Sequence, residues 1–374
     1  MASSPTPSVV VSGRPLPLLS TARIYVCGIT PYSVTHLGHA ATFVWLDTAA
    51  RVLRHHGVEA EVCRNVTDVD DVLTDAAARA GTPYDELAAM EQFSFERTMH
   101  DLGVLRPTHE PRAHAYVEPV VRMAAALLES GHAYQRDGTV YFRGSQVAEQ
   151  AGLDGDELGA ALTEGGENPD DPAKEHPADV PVWRASGADE PSWPSPWGPG
   201  RPGWHSECTA MALSVLGSSV DLHGGGADLR FPHHAYEAAM AEAVTGVRPY
   251  ARAWMRVGLV HHEGSKMAKS TGNLVLVPEL LAEHDAAAVR LMLLNRPWAE
   301  PWSYQPSALE SAAGLVERLY AAAGRPGSES GREEVAAALR ADLDVPRAVM
   351  TALDSGGAAA RFALHVLGLD AAHR

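Results

Sequence analysis

Runs of apolar residues in this chain change period several times, and each change marks an element. Between Arg23 and Gly28 the run Ile24-Tyr25-Val26-Cys27 is continuous and apolar, which predicts a buried strand ended by glycine. A polar turn, Thr30-Pro31-Tyr32-Ser33, comes next. Leu37, Ala40, Ala41, Val44, Trp45, Thr48 and Val52 then recur at helical spacing, with Asp47, Arg51 and Arg54 on the other face. Gly57 is the stop signal, and residues 61–66 offer a second strand, so the chain opens on a β-α-β unit with a parallel sheet. Residues 75–132 read as helical and Ala-rich. Over 152–203 the pattern dissolves into Gly, Pro, Asp, Glu and Trp, which predicts a long inserted loop region. A helix is expected over 204–216 and short strands around 220–223 and 254–260. The chain after Leu274 is mainly helical, with a break at 324–331. No internal repeat is visible.

Composition sets bounds on this picture. A chain of 374 residues with 45% hydrophobic positions can bury a sizeable core and accommodates two domains, or one large core with an appendage. Residues 1–20 are Ser/Pro-rich and read as a loosely held arm. Acidic residues outnumber basic ones 47 to 30, a net charge of −17, and no basic run exists. Nonspecific nucleic-acid binding is therefore disfavoured. No run of 18 apolar residues predicts a membrane span, and residues 1–13 lack the charge and apolar block of a signal peptide. The three cysteines, Cys27, Cys63 and Cys208, form no disulfide framework and point to a reducing cytoplasm. Only three lysines, Lys174, Lys266 and Lys269, stand among the 30 basic residues, and two of them are three positions apart.

Four constellations carry candidate chemistry. His36-Leu37-Gly38-His39 sits where the first strand feeds the first helix, a position suited to phosphate because a helix N-terminus collects free amide donors. The pair Lys266 and Lys269 follows the turn Glu263-Gly264-Ser265, and two ammonium groups there could neutralise a departing pyrophosphate. Cys27, Cys208 and His233 form a scattered metal set with no zinc-finger spacing. Three such ligands with an open position suit an exogenous group, and Glu237, four residues after His233, is a candidate fourth ligand. The loop His223-Gly224-Gly225-Gly226-Ala227-Asp228 allows close backbone approach to a nucleoside, with Asp228 able to accept from ribose hydroxyls. Cys63 has no partner signal and reads as a core thiol.

Taken in order, Tyr25-Val26-Cys27-Gly28, His36-Leu37-Gly38-His39, Asn65-Val66-Thr67-Asp68, Gly203-Trp204-His205-Ser206-Glu207-Cys208, Gly224-Gly225-Gly226-Ala227-Asp228-Leu229, Phe231-Pro232-His233-His234 and Lys266-Met267-Ala268-Lys269-Ser270 resemble the cysteine-activating branch of the class I aminoacyl-tRNA synthetase catalytic domain. The resemblance covers roughly residues 22–300. It implies a Rossmann-type parallel sheet with an inserted region and a C-terminal helical domain. The implied division is a catalytic domain over 21–300, an insertion at about 100–200 within it, and a short helical domain over 301–374.

Two relatives share this core, cysteinyl-tRNA synthetase and the mycothiol cysteine ligase, which joins cysteine to glucosaminyl-inositol. Ile29, where the synthetase usually has proline, favours the ligase, as does Val72-Leu73 after Asp70-Asp71 in place of a lysine. The stretch after Lys269 lacks lysine and carries 9 Arg against 13 acids, unlike an anticodon-binding domain. Other features depart from the ligase: Ala268 stands for a usual serine, Ser33 for aspartate and Ser206 for isoleucine, and Glu237 matches the synthetase's fourth metal ligand. A paralogue using another amine acceptor and a truncated synthetase are the alternatives.

By this resemblance the activity is ATP-dependent formation of cysteinyl-AMP, followed by transfer to a small amine. Cys27, Cys208 and His233 would hold one Zn²⁺, and Mg²⁺ would accompany ATP. His36, His39, Lys266 and Lys269 would act on the phosphates. Cys27, Gly28, Ile29, Thr30, Thr42, Asn65, Val66, Thr67, Trp204, Gly226, Ala227, Asp228 and Val260 would line the adenylate pocket. The segment 164–169 resembles the ligase's Gly-rich acidic insert, next to the acceptor. The expected partners are L-cysteine, ATP and a small amine, without nucleic acid or membrane, in a cytoplasmic monomer or small homo-oligomer.

Overall fold

In the computed structural model, which describes residues 8–16, 20–188, 190–267 and 272–370, four parallel strands form the central sheet. Their order across the sheet is Ala251–Val257, Val220–Gly226, Thr21–Ile29 and Glu59–Val66. The chain builds outward from Thr21–Ile29 to one side, then returns to its other side with Val220–Gly226. The order therefore reverses between these two neighbours, and open α/β sheets bind ligands at the carboxyl ends of such a pair. This is the class I aminoacyl-tRNA synthetase-like fold that the sequence implies.

The helix Leu37–His55 connects Thr21–Ile29 to Glu59–Val66. It begins at His36, whose Nδ1 accepts from the Gly38 N–H, and gives way at Gly57, whose φ of +76° suits glycine. Leu37, Ala40, Ala41, Val44, Trp45, Thr48 and Val52 are all buried, as their spacing predicts. Asp47 departs from its expected place on a polar face, because that face is covered. Its carboxylate pairs with the fully buried guanidinium of Arg290 and lies 2.8 Å from Arg51 Nε. Arg290 also donates to the Leu367 carbonyl at 2.6 Å and the Leu102 carbonyl at 3.1 Å. The C-terminal helices Pro306–Ala323, Glu329–Arg340, Val345–Ser355 and Gly357–Val366 share one continuous apolar core with the sheet's first helix.

Three expectations are corrected. Segment 152–203 is not a loop: it holds the helix Gly155–Glu164 and the strands Val180–Ala185 and Gly200–Pro202. These strands complete an antiparallel sheet with Ala133–Arg136 and Thr139–Phe142, over a separate core that includes Val140, Val180 and Trp183. Within 75–132, the helices Tyr84–Asp101 and Val117–Glu129 are separated by an extended stretch. There the His109 and Pro111 carbonyls accept from the Arg64 and Val66 N–H groups. In the arm, residues 8–16 are not loose. Val9–Val11 pairs with Arg14–Leu16, and Val9, Val11 and Leu16 are buried in the main core.

Candidate active site

The site grows from the two strand ends at the reversal point. Pairing between Thr21–Ile29 and Glu59–Val66 is interrupted between Val26 and Ile29, so Cys27 and Gly28 leave the regular ladder. Gly28 lies against backbone, because a Cβ there would stand 1.6 Å from the Asn65 carbonyl oxygen. On the neighbouring strand, a Cβ on Gly224 would stand 2.3 Å from a Leu46 methyl, which fixes how closely the first helix approaches the sheet.

Above these ends opens a cavity of about 380 Å³. Of the residues expected there, Cys27, Gly28, Ile29, Thr30, His36, His39, Thr42, Trp204, Gly226, Asp228, Val260 and Lys266 line it. Ala227 lines an adjoining cavity of about 530 Å³ instead. Asn65, Val66 and Thr67 stand behind the wall, because the neighbouring strand faces Gly28 with its backbone. Asn65 Oδ1 accepts from the Gly28 N–H at 2.8 Å, Asn65 Nδ2 donates to Thr67 Oγ1 at 2.9 Å, and Val66 is buried. Lys269 and Ala268 lie outside the described residues.

His36 and His39 stack at 3.9 Å between ring centroids at the start of the first helix. Burial, with Lys266 adding to it against the opposing Asp228, lowers His36 from 6.5 to about 4. Burial and then His36 lower His39 to about 3. Both rings are therefore neutral near pH 7. Because His36 Nδ1 accepts from Gly38, its proton is on Nε2, where it remains a donor. Lys266 belongs to a hairpin, Val260–His262 with Ser265–Lys266, turned by Glu263 at φ +52° and Gly264 at φ +83°. Its ammonium is 2.8 Å from Asp228, so Asp228 holds a cation as well as facing the cavity.

Cys27, Cys208, His233 and Glu237 meet beside this cavity, all buried, with their ligating atoms within 4.8 Å of one another. Cys27 Sγ is 3.6 Å from both Glu237 oxygens, and His233 Nε2 is 3.5 Å from one. Cys208 lies on the helix Trp204–Leu216, and His233 and Glu237 occupy one face of the helix His233–Thr245. Burial first, then Cys208 and Glu237, hold the Cys27 thiol well above its ordinary value. Two thiols, an imidazole and a carboxylate so placed fit a thiophilic cation that would offset this burial. A second set overlaps the first: Cys27, His223, His234 and Glu237.

Several polar neighbours have no role in the sequence reading. His205 Nδ1 is 2.8 Å from His233 Nδ1, and His205 Nε2 is 3.4 Å from Glu167. Glu167 in turn lies 3.7 Å from the Lys174 ammonium. Burial alone would raise the Glu167 carboxyl, but His205 and Lys174 beside it bring it below its usual value. Each of the histidines His205, His223 and His234 lies within a motif quoted above, and that membership was the available signal.

The fold and crevice define a class I synthetase-type protein. A family model described as the tRNA synthetases class I (C) catalytic domain matches residues 18–314. The chain is 47% identical over 305 residues to the "Cysteine--tRNA ligase" of Alkalilimnicola ehrlichii, covering 80% of this chain but only 65% of that protein. It is 44% identical over 354 residues to the "L-cysteine:1D-myo-inositol 2-amino-2-deoxy-alpha-D-glucopyranoside ligase" of Parafrankia sp., covering 93% of this chain and 80% of that one. A ligase of the same name from Mycobacterium marinum is 43% identical over 361 residues, covering 92% and 88%. Methionyl-tRNA synthetase of Mycobacterium tuberculosis, solved with methionyl-adenylate, superposes with a TM-score of 0.65 at 20% identity, over 90% of this chain and 81% of that one; it shares the fold. The chain belongs to the class I cysteinyl-tRNA synthetase catalytic-domain family, whose members named here are ligases.

Proposed function

We propose that this chain is an ATP-dependent, AMP-forming cysteine:amine ligase. In the first step a carboxylate oxygen of L-cysteine attacks the α-phosphorus of ATP, forming cysteinyl-AMP and releasing pyrophosphate. In the second, the amine of a small acceptor attacks the cysteinyl carbonyl carbon, AMP leaves, and the nitrogen gives up a proton. Glucosaminyl-inositol, the acceptor in the names of the Parafrankia and Mycobacterium relatives, is the favoured amine, and with it the proposed reaction would be a step of mycothiol biosynthesis.

The observation that carries this reading is one cavity that joins His36, His39 and Lys266 on its walls to Cys27 of the metal-type cluster. The neutral His36 and His39 donate to phosphate oxygens at the helix N-terminus, and Lys266 counters charge as pyrophosphate departs. Lys269 shares that task, and Mg²⁺ accompanies the ATP. Cys27, Cys208 and His233, with Glu237 as candidate fourth ligand, suit one zinc ion per chain, which when bound would offer the cysteine thiol a soft partner that serine cannot match. Gly28, Ile29, Thr30, Thr42, Trp204, Gly226, Asp228 and Val260 shape the adenylate pocket, Ala227 faces the acceptor side, and Asn65 and Thr67 hold Gly28 in place. The catalytic domain is residues 21–300 and the helices beyond it brace the core.

ATP–pyrophosphate exchange tests the first step. Exchange should depend on cysteine, respond little to serine, and collapse in Cys208→Ala; exchange unaltered by that substitution refutes the metal-based selectivity. Mass spectrometry of the product formed from cysteine, ATP and a panel of amines identifies the acceptor. A second reading, charging of tRNA, is favoured by Glu237, which lies in the cluster and which, by the resemblance, matches the synthetase's fourth ligand. Charging of tRNA by the purified chain would establish it, and consumption of the adenylate by glucosaminyl-inositol alone would exclude it.

A further inference from the structure

A row of buried polar groups runs from the inserted unit to the metal-type cluster. Lys174 and Glu167 face each other with side chains 3% and 5% exposed, and Lys174 Nζ also donates to the Asn168 carbonyl at 2.6 Å. Glu167 Oε1 is 3.4 Å from His205 Nε2, and His205 Nδ1 is 2.8 Å from His233 Nδ1. The other nitrogen of His233, Nε2, faces Glu237 inside the cluster. A lysine and a carboxylate buried this deeply are costly to keep unless their geometry is put to use. Lys174 is also one of only three lysines in the chain.

We infer that Lys174, Glu167 and His205 are positioning residues for the metal ligand His233, fixing its ring and the nitrogen it presents. The inference rests on the reading that Cys27, Cys208 and His233 hold a metal ion. Glu167 approaches His205 from the Nε2 side at 3.4 Å, and the opposite ring nitrogen, Nδ1, lies 2.8 Å from His233 Nδ1. One proton between the two Nδ1 atoms engages that side of His233. The nitrogen left to face the cluster is Nε2, 3.5 Å from Glu237. Metal-bound histidines characteristically hand their second N–H to such a partner, which sets tautomer and basicity.

The rings are also held mechanically. His233 stacks on Trp204 at 4.2 Å with 21° between planes, and His205 stacks on Tyr236 at 5.4 Å with 12°. The insert meets this assembly a second time at Gly165, where a Cβ would stand 2.2 Å from Pro232, the residue before His233. Glu164, Gly165, Gly166 and Glu167 also wall the second cavity, so one short segment borders both that cavity and the metal ligand's support.

Zinc affinity of the full chain, measured by competition with a chromophoric chelator, and the visible spectrum of its Co²⁺ form test the inference without reference to activity. Glu167→Gln should weaken zinc binding about 10- to 100-fold and shift the Co²⁺ bands, and Lys174→Met should act in the same direction more weakly. His205→Asn keeps an amide near His233 Nδ1 but cannot reach Glu167. Adding Glu167→Gln to it should therefore change affinity no further. Wild-type affinity and spectrum in Glu167→Gln, or full additivity with His205→Asn, overturns the inference. Circular dichroism of the metal-free variants checks folding, and if Glu167→Gln fails to fold, Lys174→Met and His205→Asn decide between the same outcomes. Cys208→Ser is the separate control: undiminished zinc binding there refutes the metal reading itself, whereas its loss beside an unaffected Glu167→Gln refutes only the supporting row.

Discussion

Gly28→Ala is the sharpest small perturbation this site allows, because the added methyl meets backbone and not a side chain that can swing away. Its Cβ would stand 1.6 Å from the Asn65 carbonyl oxygen, 2.7 Å from the carbonyl carbon and 3.2 Å from the Asn65 nitrogen. A carbon and a carbonyl oxygen pack at about 3.3 Å or more, so the two strands must part by about 1.5–2 Å at this point. That separation breaks the 2.8 Å bond from the Gly28 N–H to Asn65 Oδ1 and strains the 2.9 Å bond from the Thr67 N–H to the Ile29 carbonyl. Overpacking costs about 1–3 kcal/mol and each buried polar group left unpaired about 1–3 kcal/mol, so a loss on the order of 4 kcal/mol is expected. Cys27 precedes Gly28 and moves with it, so metal binding should weaken together with stability.

Urea unfolding read by circular dichroism gives the first quantity, and zinc competition gives the second. Gly159→Ala is the matched control. It lies within the helix Gly155–Glu164 with nothing within 4 Å of the new methyl, so a gain of about 0.5–1 kcal/mol is expected. A Gly28→Ala protein within about 1 kcal/mol of wild type and with undiminished zinc affinity would show that the strand ends are not packed as described.

Other expectations follow from the same contacts. Arg290→Met takes one of two guanidinium partners from the buried Asp47 carboxylate, which keeps Arg51, and should cost about 1.5–3 kcal/mol in urea unfolding, with much of the loss recovered in Asp47→Leu/Arg290→Met; no recovery would refute pairing as the cause. His36 and His39 have folded values of about 4 and about 3 against 6.5, so the unfolded chain binds more protons below 6.5. Their contribution to stability is full above 6.5 and is lost as pH falls toward those values. Unfolding midpoints at pH 7 and pH 5 should differ, and by less in His39→Phe; an unchanged difference would count against the burial argument. Lys266→Met should slow cysteine-dependent ATP–pyrophosphate exchange by about 10²–10³-fold while leaving zinc affinity untouched; undiminished exchange would remove Lys266 from the phosphate-handling role.

Legibility of the fold followed how local its signals are. The first strand and helix could be read because Ile24 to Cys27 and Leu37 to Val52 carry their own periodicity, and each element buries the face that the period marks. The strands Val180–Ala185 and Gly200–Pro202 could not: the first is short and pairs with Thr139–Phe142 some 40 residues earlier, and the second is three residues, Gly, Arg and Pro, paired with the first. Asp47 was misplaced for a related reason: its partner Arg290 is 243 residues away. Within the site, motif order brought Cys27, Cys208 and His233 together on paper. Glu167 and Lys174 gave no local signal, because a buried ion pair in a Gly- and Asp-rich segment looks like a solvated turn until its neighbours are known.

That a cluster can draw on Cys27 and on Glu237, 210 residues later, follows from the sheet order. Reversal of strand order puts the ends of Thr21–Ile29 and Val220–Gly226 side by side, with Val26 opposite Gly224. Cys27 is the next residue on the first strand. The helices Trp204–Leu216 and His233–Thr245 flank the second strand in the chain and pack against each other, bringing Cys208 and His233 to the same edge. The inserted unit enters the chain after Glu59–Val66 and rejoins it before Trp204, so it can be large without disturbing the four-strand order. It meets the cluster's own helices across one surface, and Glu167 beside His205 and Gly165 against Pro232 lie on that surface. The parallel sheet therefore fixes where the ligands meet, and the insert reaches them from outside through His205.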